Sequence, residues 1–189
     1  MGRVWVGLAA LGMLAGCAHT QAAAQADPAP AAPAALVYVD PSLGFEIARP
    51  RGDAWRFSPG VQGELDPAVS VPVIVAHRAS GAQVVVQVAP EVAPPLQFAQ
   101  RLTEGLRARP GFTVSDIEPL AAGHGAPLAA GHGAVGFAFT LGNQVAGRVA
   151  VVSGSGDRVY VLLATWPQDA PPDVVRGVDE IVRSLHTKT

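Results

Sequence analysis

Between residues 134 and 165 three apolar runs follow one another, AVGFAFTL, VAGRVAVVS and DRVYVLLAT, parted only by Gly142-Asn143-Gln144 and by Gly154-Ser155-Gly156. β-Branched residues at this density, in segments of eight or nine with turn chemistry between them, form antiparallel strands joined as a meander. A sheet of that kind has apolar faces that other elements must cover, so the rest of the chain is read for what could cover them.

Upstream, residues 37–39 form a short apolar run stopped by Asp40-Pro41, and residues 44–48 alternate until Pro50 ends them, which together predict a hairpin or bend. Residues 69–76 and 83–88 predict a second hairpin turning through 77–82. Pro72, lacking an amide hydrogen, restricts the earlier strand to a start or an edge position. Residues 112–117 read as one further strand.

Two stretches carry helical periodicity. In PPLQFAQRLTEGLRARPG, Leu96, Ala99, Leu102 and Leu106 recur at three and four residues, from a start at Pro94 or Pro95 to a stop before Pro110. In APPDVVRGVDEIVRSLHTK, Val174, Val175, Val178, Ile181, Val182 and Leu185 share one stripe, with Arg176, Asp179, Glu180 and Arg183 opposite. Asp169 is placed to cap this second helix, Pro171 or Pro172 to open it, Asp179 and Arg183 to pair at i,i+4, and His186 to meet its negative end. The fold class expected is α+β: an antiparallel β-sheet of about six strands flanked by helices, one domain over residues 36–189.

The amino terminus reads differently. Arg3 precedes an uncharged apolar stretch over residues 4–16, too short to span a bilayer, and Leu14-Ala15-Gly16-Cys17 closes it at the only cysteine of the chain. That order resembles the lipobox of bacterial lipoproteins. The resemblance implies a signal peptide over residues 1–16 and an acylated Cys17 as the first mature residue, which leaves no thiol for a disulfide. Several acyl chains on one sulfur hold a protein to a membrane essentially permanently. Ala18 stands where proteobacterial lipoproteins retained in the inner membrane carry aspartate, so the outer membrane, facing the periplasm, is the expected address. Residues 18–35, AHTQAAAQADPAPAAPAA, offer little to bury and read, with Cys17, as a lipidated, disordered linker over residues 17–35.

With these elements in order, the domain resembles the PsbP-like fold, an α/β/α sandwich named for the extrinsic P subunit of photosystem II. The carrying segments are YVDPSLGFEIARPRGDAW, with Tyr38, Gly44, Phe45, Ile47, Pro50 and Trp55, then GRVAVVSGSGDRVYVLLATWP and VDEIVRSL. The superfamily shares no active site, so the resemblance assigns fold and no catalytic residue.

Chemistry-bearing motifs are sparse. A net charge of −2 with twelve scattered arginines and one lysine argues against a nucleic-acid partner. No Gly-x-Ser-x-Gly elbow, phosphate loop or dinucleotide fingerprint occurs, and no cofactor is expected. The segment LAAGHGAPLAAGHGAV repeats seven residues after eight positions and sets His124 and His132 in identical surroundings. Eight extended residues span about 26 Å, so only a hairpin near Pro127 would bring the imidazoles together, and zinc would still need His77, Asp116 or Glu118. The repeat reads more economically as an in-frame duplication of a loop, since doubling a flexible loop costs only about 0.6 kcal/mol. Trp55 and Trp166, each near a proline, are the candidate ligand-groove residues, with core packing the commoner use of such side chains. The functional expectation is a non-catalytic, lipid-anchored binding or assembly module. Its partners would be the membrane, through Cys17, and an envelope protein; a small-ligand- or metal-binding lipoprotein is the alternative.

Overall fold

Residues 36–60, 69–120, 133–154 and 156–187 are described by the computed structural model. In chain order they form strands β1 (Val37–Asp40), β2 (Phe45–Ala48), β3 (Trp55–Pro59), β4 (Ser70–His77) and β5 (Gln83–Pro90), then helix α1 (Pro95–Arg107). Strands β6 (Phe112–Val114), β7 (Glu118–Pro119), β8 (Val135–Leu141), β9 (Val145–Ser153) and β10 (Arg158–Pro167) follow, then helix α2 (Pro172–Arg183) and β11 (His186–Thr187). The segments expected to be a signal peptide (residues 1–16) and a linker (residues 17–35, with Cys17), and both His124 and His132, lie outside the described residues.

The meander forms as expected and becomes one side of an eight-stranded antiparallel sheet ordered β3-β4-β5-β10-β9-β8-β6, with β7 also paired to β8. Six of these strands are those read from the sequence; β3 and β7 are additional. The β1–β2 hairpin stands apart, joined by β11 in a three-stranded sheet, so His186 lies on a strand opposite Glu46 rather than in the last turn of α2.

Alternation along β10 divides the core in two. Tyr160, Leu162 and Ala164 face a cluster built with Phe45 and Ile47 of the small sheet and with Val174, Val178, Ile181 and Val182 of α2. Val159 and Val161 face the other way, toward Ala99 of α1 and toward Phe137, Phe139, Val149 and Val151. The result is an α/β/α sandwich: α1 on one face, α2 and the small sheet on the other.

Local chemistry explains where the chain departs from its pattern. Residues 112–117 do not make one strand, because at Ser115 the hydroxyl accepts the Ala138 N–H at 2.9 Å and replaces a backbone partner, ending β6 and leaving β7 to start afresh. Pro72 is neither first nor on an edge: β4 lies between β3 and β5. A register shift between Ser70 and Val73 takes up the missing amide hydrogen.

In α1 the proline pair sets the start at Pro95, and Ala99 and Thr103 are buried. Leu96 is 49% exposed, since three residues turn it about 60° away from Ala99 around the helix. α2 starts at Pro172 behind Pro171 with no side-chain cap, so Asp169 plays no part there; the prolines fix the dihedrals that a cap would otherwise favour. Asp179 pairs with Arg148 of β9, not with Arg183. Each buried Val or Ile of α2 contributes about 1.5–3 kcal/mol, whereas a part-exposed ion pair contributes below about 1 kcal/mol, so packing fastens this helix and the pair only trims its position.

Candidate functional site

The two ends of the face beneath α2 hold the polar and aromatic side chains of interest. At one end Trp55 opens β3 directly opposite His77, the last residue of β4. Their rings meet edge to face with centroids 5.0 Å apart. Trp55 is no groove residue: it is 5% exposed and Gly177 of α2 lies against its indole. His77 accepts the Ser80 N–H at Nδ1, 3.1 Å away, with the Ser80 hydroxyl 2.9 Å from the same nitrogen. That bond assigns the proton of the neutral ring to Nε2, an atom with no hydrogen-bond partner among the described residues. Trp166 lies on the same face of β10, half-buried against the same cluster. Three strand spacings, about 14 Å, separate β10 from β3, so Trp55 and Trp166 do not form a joint pocket.

Of the metal set weighed from the sequence, His124 and His132 lie outside the described residues, and the alternative third ligands His77, Asp116 and Glu118 do not gather at one place. Five strand spacings lie between His77 on β4 and Glu118 on β7, about 24 Å. Asp116 is exposed and faces Arg107 at 3.7 Å. Among the described residues no group of three metal-ligating side chains occurs.

At the opposite end the β1–β2 turn rests on the large sheet. Asp40 organises this turn: its Oδ1 accepts the Ser42 N–H at 3.1 Å, the Leu43 N–H at 3.0 Å and the Ser42 hydroxyl at 2.6 Å. The Tyr38 hydroxyl approaches Oδ2 at 3.4 Å. Gly44 closes the turn at φ +73°, a conformation that a side chain would disfavour. From the sheet, the Tyr160 hydroxyl donates to the Leu43 carbonyl at 2.5 Å, and Arg158 donates to the Ser42 carbonyl at 3.0 Å.

These contacts set the protonation chemistry. Partial burial pushes the Asp40 carboxyl up, but the bonds from Ser42, Leu43 and Tyr38 outweigh it and hold the group below the ordinary carboxylate value. Tyr160 is raised by burial, against the pull of the neighbouring Arg158 guanidinium, and Tyr38 is raised by burial and by the charge of Asp40.

Beside this turn a cleft of about 300 Å³ is lined by Leu43, Ser70, Val88, Ala89, Pro90, Gly156, Asp157 and Arg158. Its floor is apolar and its rim carries one cation and one carboxylate. Such a surface can take an amphipathic group, but it brings no nucleophile against a general base. The sequence reading missed the cluster because Tyr160 and Arg158 lie far along the chain from Asp40. The local signal was Asp40-Pro41-Ser42, an Asx-turn sequence read only as a strand stop.

No protein-family model matches this chain, and no curated protein matches it. Among solved structures, the cyanobacterial PsbP protein CyanoP from Synechocystis sp. PCC 6803 matches with a TM-score of 0.57 at 13% identity. The match covers 86% of this chain and 97% of that one. LpqN of Mycobacterium tuberculosis, described as involved in cell envelope biogenesis, matches at 0.47 and 17% identity over 76% and 83% of the two chains. The Ran-binding protein Mog1p of Saccharomyces cerevisiae matches at 0.46 and 12% identity over 76% and 90%. At these identities the likeness speaks to architecture, and only the first is close enough to carry it. The element order, the antiparallel sheets and the two flanking helices make this a PsbP-like fold.

Proposed function

We propose that this protein is a lipid-anchored envelope module that acts by binding, as an accessory or assembly factor for another envelope protein. The observation that carries the reading is the Leu14-Ala15-Gly16-Cys17 sequence closing an uncharged apolar stretch at the chain's single cysteine. Behind it, the sequence of residues 18–35 offers few large apolar side chains, and among the described residues the buried members of both core clusters run from Phe45 to Leu185. A tether followed by a self-sufficient domain suits a protein that is held at a surface and meets partners in the fluid beside it. No helix of the described residues is long and apolar enough to cross a membrane. The anchor in this reading is acyl chains at Cys17, with the domain on the periplasmic side of the outer membrane.

Two measurements test it. Mass spectrometry of the amino-terminal peptide should find acyl groups on Cys17, and Cys17→Ser should release the protein from the lipid fraction or leave its leader uncleaved. Affinity purification from detergent-solubilised envelopes should recover one stoichiometric protein partner. An unmodified native Cys17 overturns the anchor, and purification without a partner overturns the binding role.

The cleft beside Leu43 favours a second reading, a lipoprotein that carries a small amphipathic ligand, with Arg158 meeting its anionic end. Native mass spectrometry separates the two: a co-purifying small molecule lost in Arg158→Ala supports this one.

A further inference from the structure

Among the described residues, the face of the large sheet that carries α1 is only half covered. α1 packs on β6, β8 and β9. On the remaining strands the same face presents one cross-strand row in direct register: Leu163 opposite Val85, Val85 opposite Ile74, and Ile74 opposite Ser58. All four are only part-buried, although the row continues into buried Val149 and Phe137 beneath α1. Val159 and Val161 of β10 already lie beneath α1, so β3, β4 and β5 at about 4.8 Å, bordered by Leu163, give an open strip about 14 Å wide, and a helix with its side chains is about 10–12 Å across. There is room for one more helix beside α1.

The strip has a shaped wall and a sign of charge. Arg107, on one flank of α1, donates to the Val114 and Ser115 carbonyls at 3.5 and 3.1 Å, which turns that flank toward β6. Phe98, Leu102 and Gly105 therefore line the opposite flank, toward β10. Phe98 and Leu102 are half-buried apolar members of this face, and a Cβ at Gly105 would meet nothing within 4 Å. Strands β3, β4, β5 and β10 contain no aspartate or glutamate. Arg56 projects from this face of β3, and Arg78 is the turn residue directly after β4, its N–H donating to the Ala54 carbonyl at 2.8 Å beside the start of β3; both are exposed, and neither joins an ion pair among the described residues.

We infer that this strip docks an amphipathic helix of a partner protein, seated beside α1 with its apolar stripe on Leu163, Val85 and Ile74 and a carboxylate-bearing end over Arg56 and Arg78. The inference rests on the binding role proposed above and gives that role a place. A second copy of this chain is a poorer occupant, because its own strip brings no carboxylate to the arginines. A planar bilayer is poorer still, because α1 stands about one helix diameter proud of the strip and holds a flat surface away.

The probe is a synthetic amphipathic peptide of about five helical turns, with leucines spaced i, i+3, i+4, i+7 and glutamates in one terminal turn, compared with the same peptide carrying lysines there. Residues 33–189 form one compact unit containing both core clusters and serve as the binding partner. The glutamate peptide should bind about tenfold more tightly than the lysine peptide. Val85→Lys should abolish binding while the near-ultraviolet signal of Trp55, on the opposite face, is unchanged. Joint Arg56→Glu and Arg78→Glu replacement should reverse the peptide preference. Equal affinity for the two peptides, no binding of either, or binding that survives Val85→Lys each overturns the inference. So does a self-associated dimer dissolved by Val85→Lys, or partitioning of the domain onto anionic vesicles through this face. If an envelope partner is still recovered and tolerates Val85→Lys, the binding role stands and only this strip fails.

Discussion

Gly177 of α2 approaches the indole of Trp55 so closely that a Cβ at position 177 would lie 2.8 Å from Nε1 and 2.9 Å from Cζ2. The indole has nowhere to retreat, because it is 5% exposed and its ring meets His77 at 5.0 Å. Gly177→Ala sets two opposing effects against each other. Alanine favours a helix interior by about 1 kcal/mol over glycine, while overpacking a filled core costs about 1–3 kcal/mol. The expected net result is destabilisation with a shifted Trp55 emission, read by urea unfolding. A stabilised variant would mean that α2 does not bear on Trp55 as described.

Acid should loosen the β1–β2 turn. The folded-state pKa of Asp40 is lowered, so its stabilising contribution is complete above the ordinary carboxylate value near 3.9 and is lost as pH falls through the lower folded value. Asp40→Ala should cost about 1–3 kcal/mol at neutral pH, because the amides of Ser42 and Leu43 lose their acceptor. The gap between the native protein and the variant should then narrow below about pH 4 in urea titrations. A gap that stays constant down to pH 2 would refute the assignment.

Alkali acts on the other partner of the same turn. Tyr160 has a raised folded pKa, so it contributes stability fully present below the ordinary tyrosine value near 10 and lost as pH rises through the raised value. Tyr160→Phe should cost about 1 kcal/mol at pH 7, from the lost bond to the Leu43 carbonyl. It should also flatten, but not abolish, the loss of stability above pH 10, because Tyr38 is raised as well. Denaturant midpoints between pH 8 and 11 check this, and an unaltered alkaline slope counts against it.

A double-mutant cycle on Arg148 and Asp179 should give a coupling of about 0.5 kcal/mol that shrinks in molar salt, as expected for a part-exposed pair. The same cycle on Asp179 and Arg183 should give none within error. Coupling in the second cycle and not in the first would place the Asp179 carboxylate wrongly.

Much of the architecture was legible in the chain. Residues 145–153 matched β9, and the stripe from Val174 to Val182 placed α2, because valine alternation and the helical repeat are local properties that tertiary packing had no reason to override. The misreadings fall where a distant group outbid a near one. Asp179 had Arg183 one turn away but took Arg148 from β9, and residues 112–117 lost continuity to the Ser115 hydroxyl. Trp55, a groove candidate for which core packing was the commoner use, is a core residue, because β3 pairs with β4 and carries the indole under α2. The Asp40 turn was half visible: its Asx chemistry is local, whereas Tyr160 and Arg158 arrive from β10.

By itself the sequence determined the period of most strands and both helices, the stops imposed by proline, and the Leu14-Ala15-Gly16-Cys17 order that resembles a lipobox. All of these depend on dihedral limits and on neighbours a few residues apart. Tertiary structure alone decided that β3 would close one edge of the large sheet, that Tyr160 would hold the Asp40 turn, and that α1 would pack on β6, β8 and β9. Those outcomes turn on which surfaces, far apart along the chain, fill one another's volume, and no short-range pattern encodes that fit.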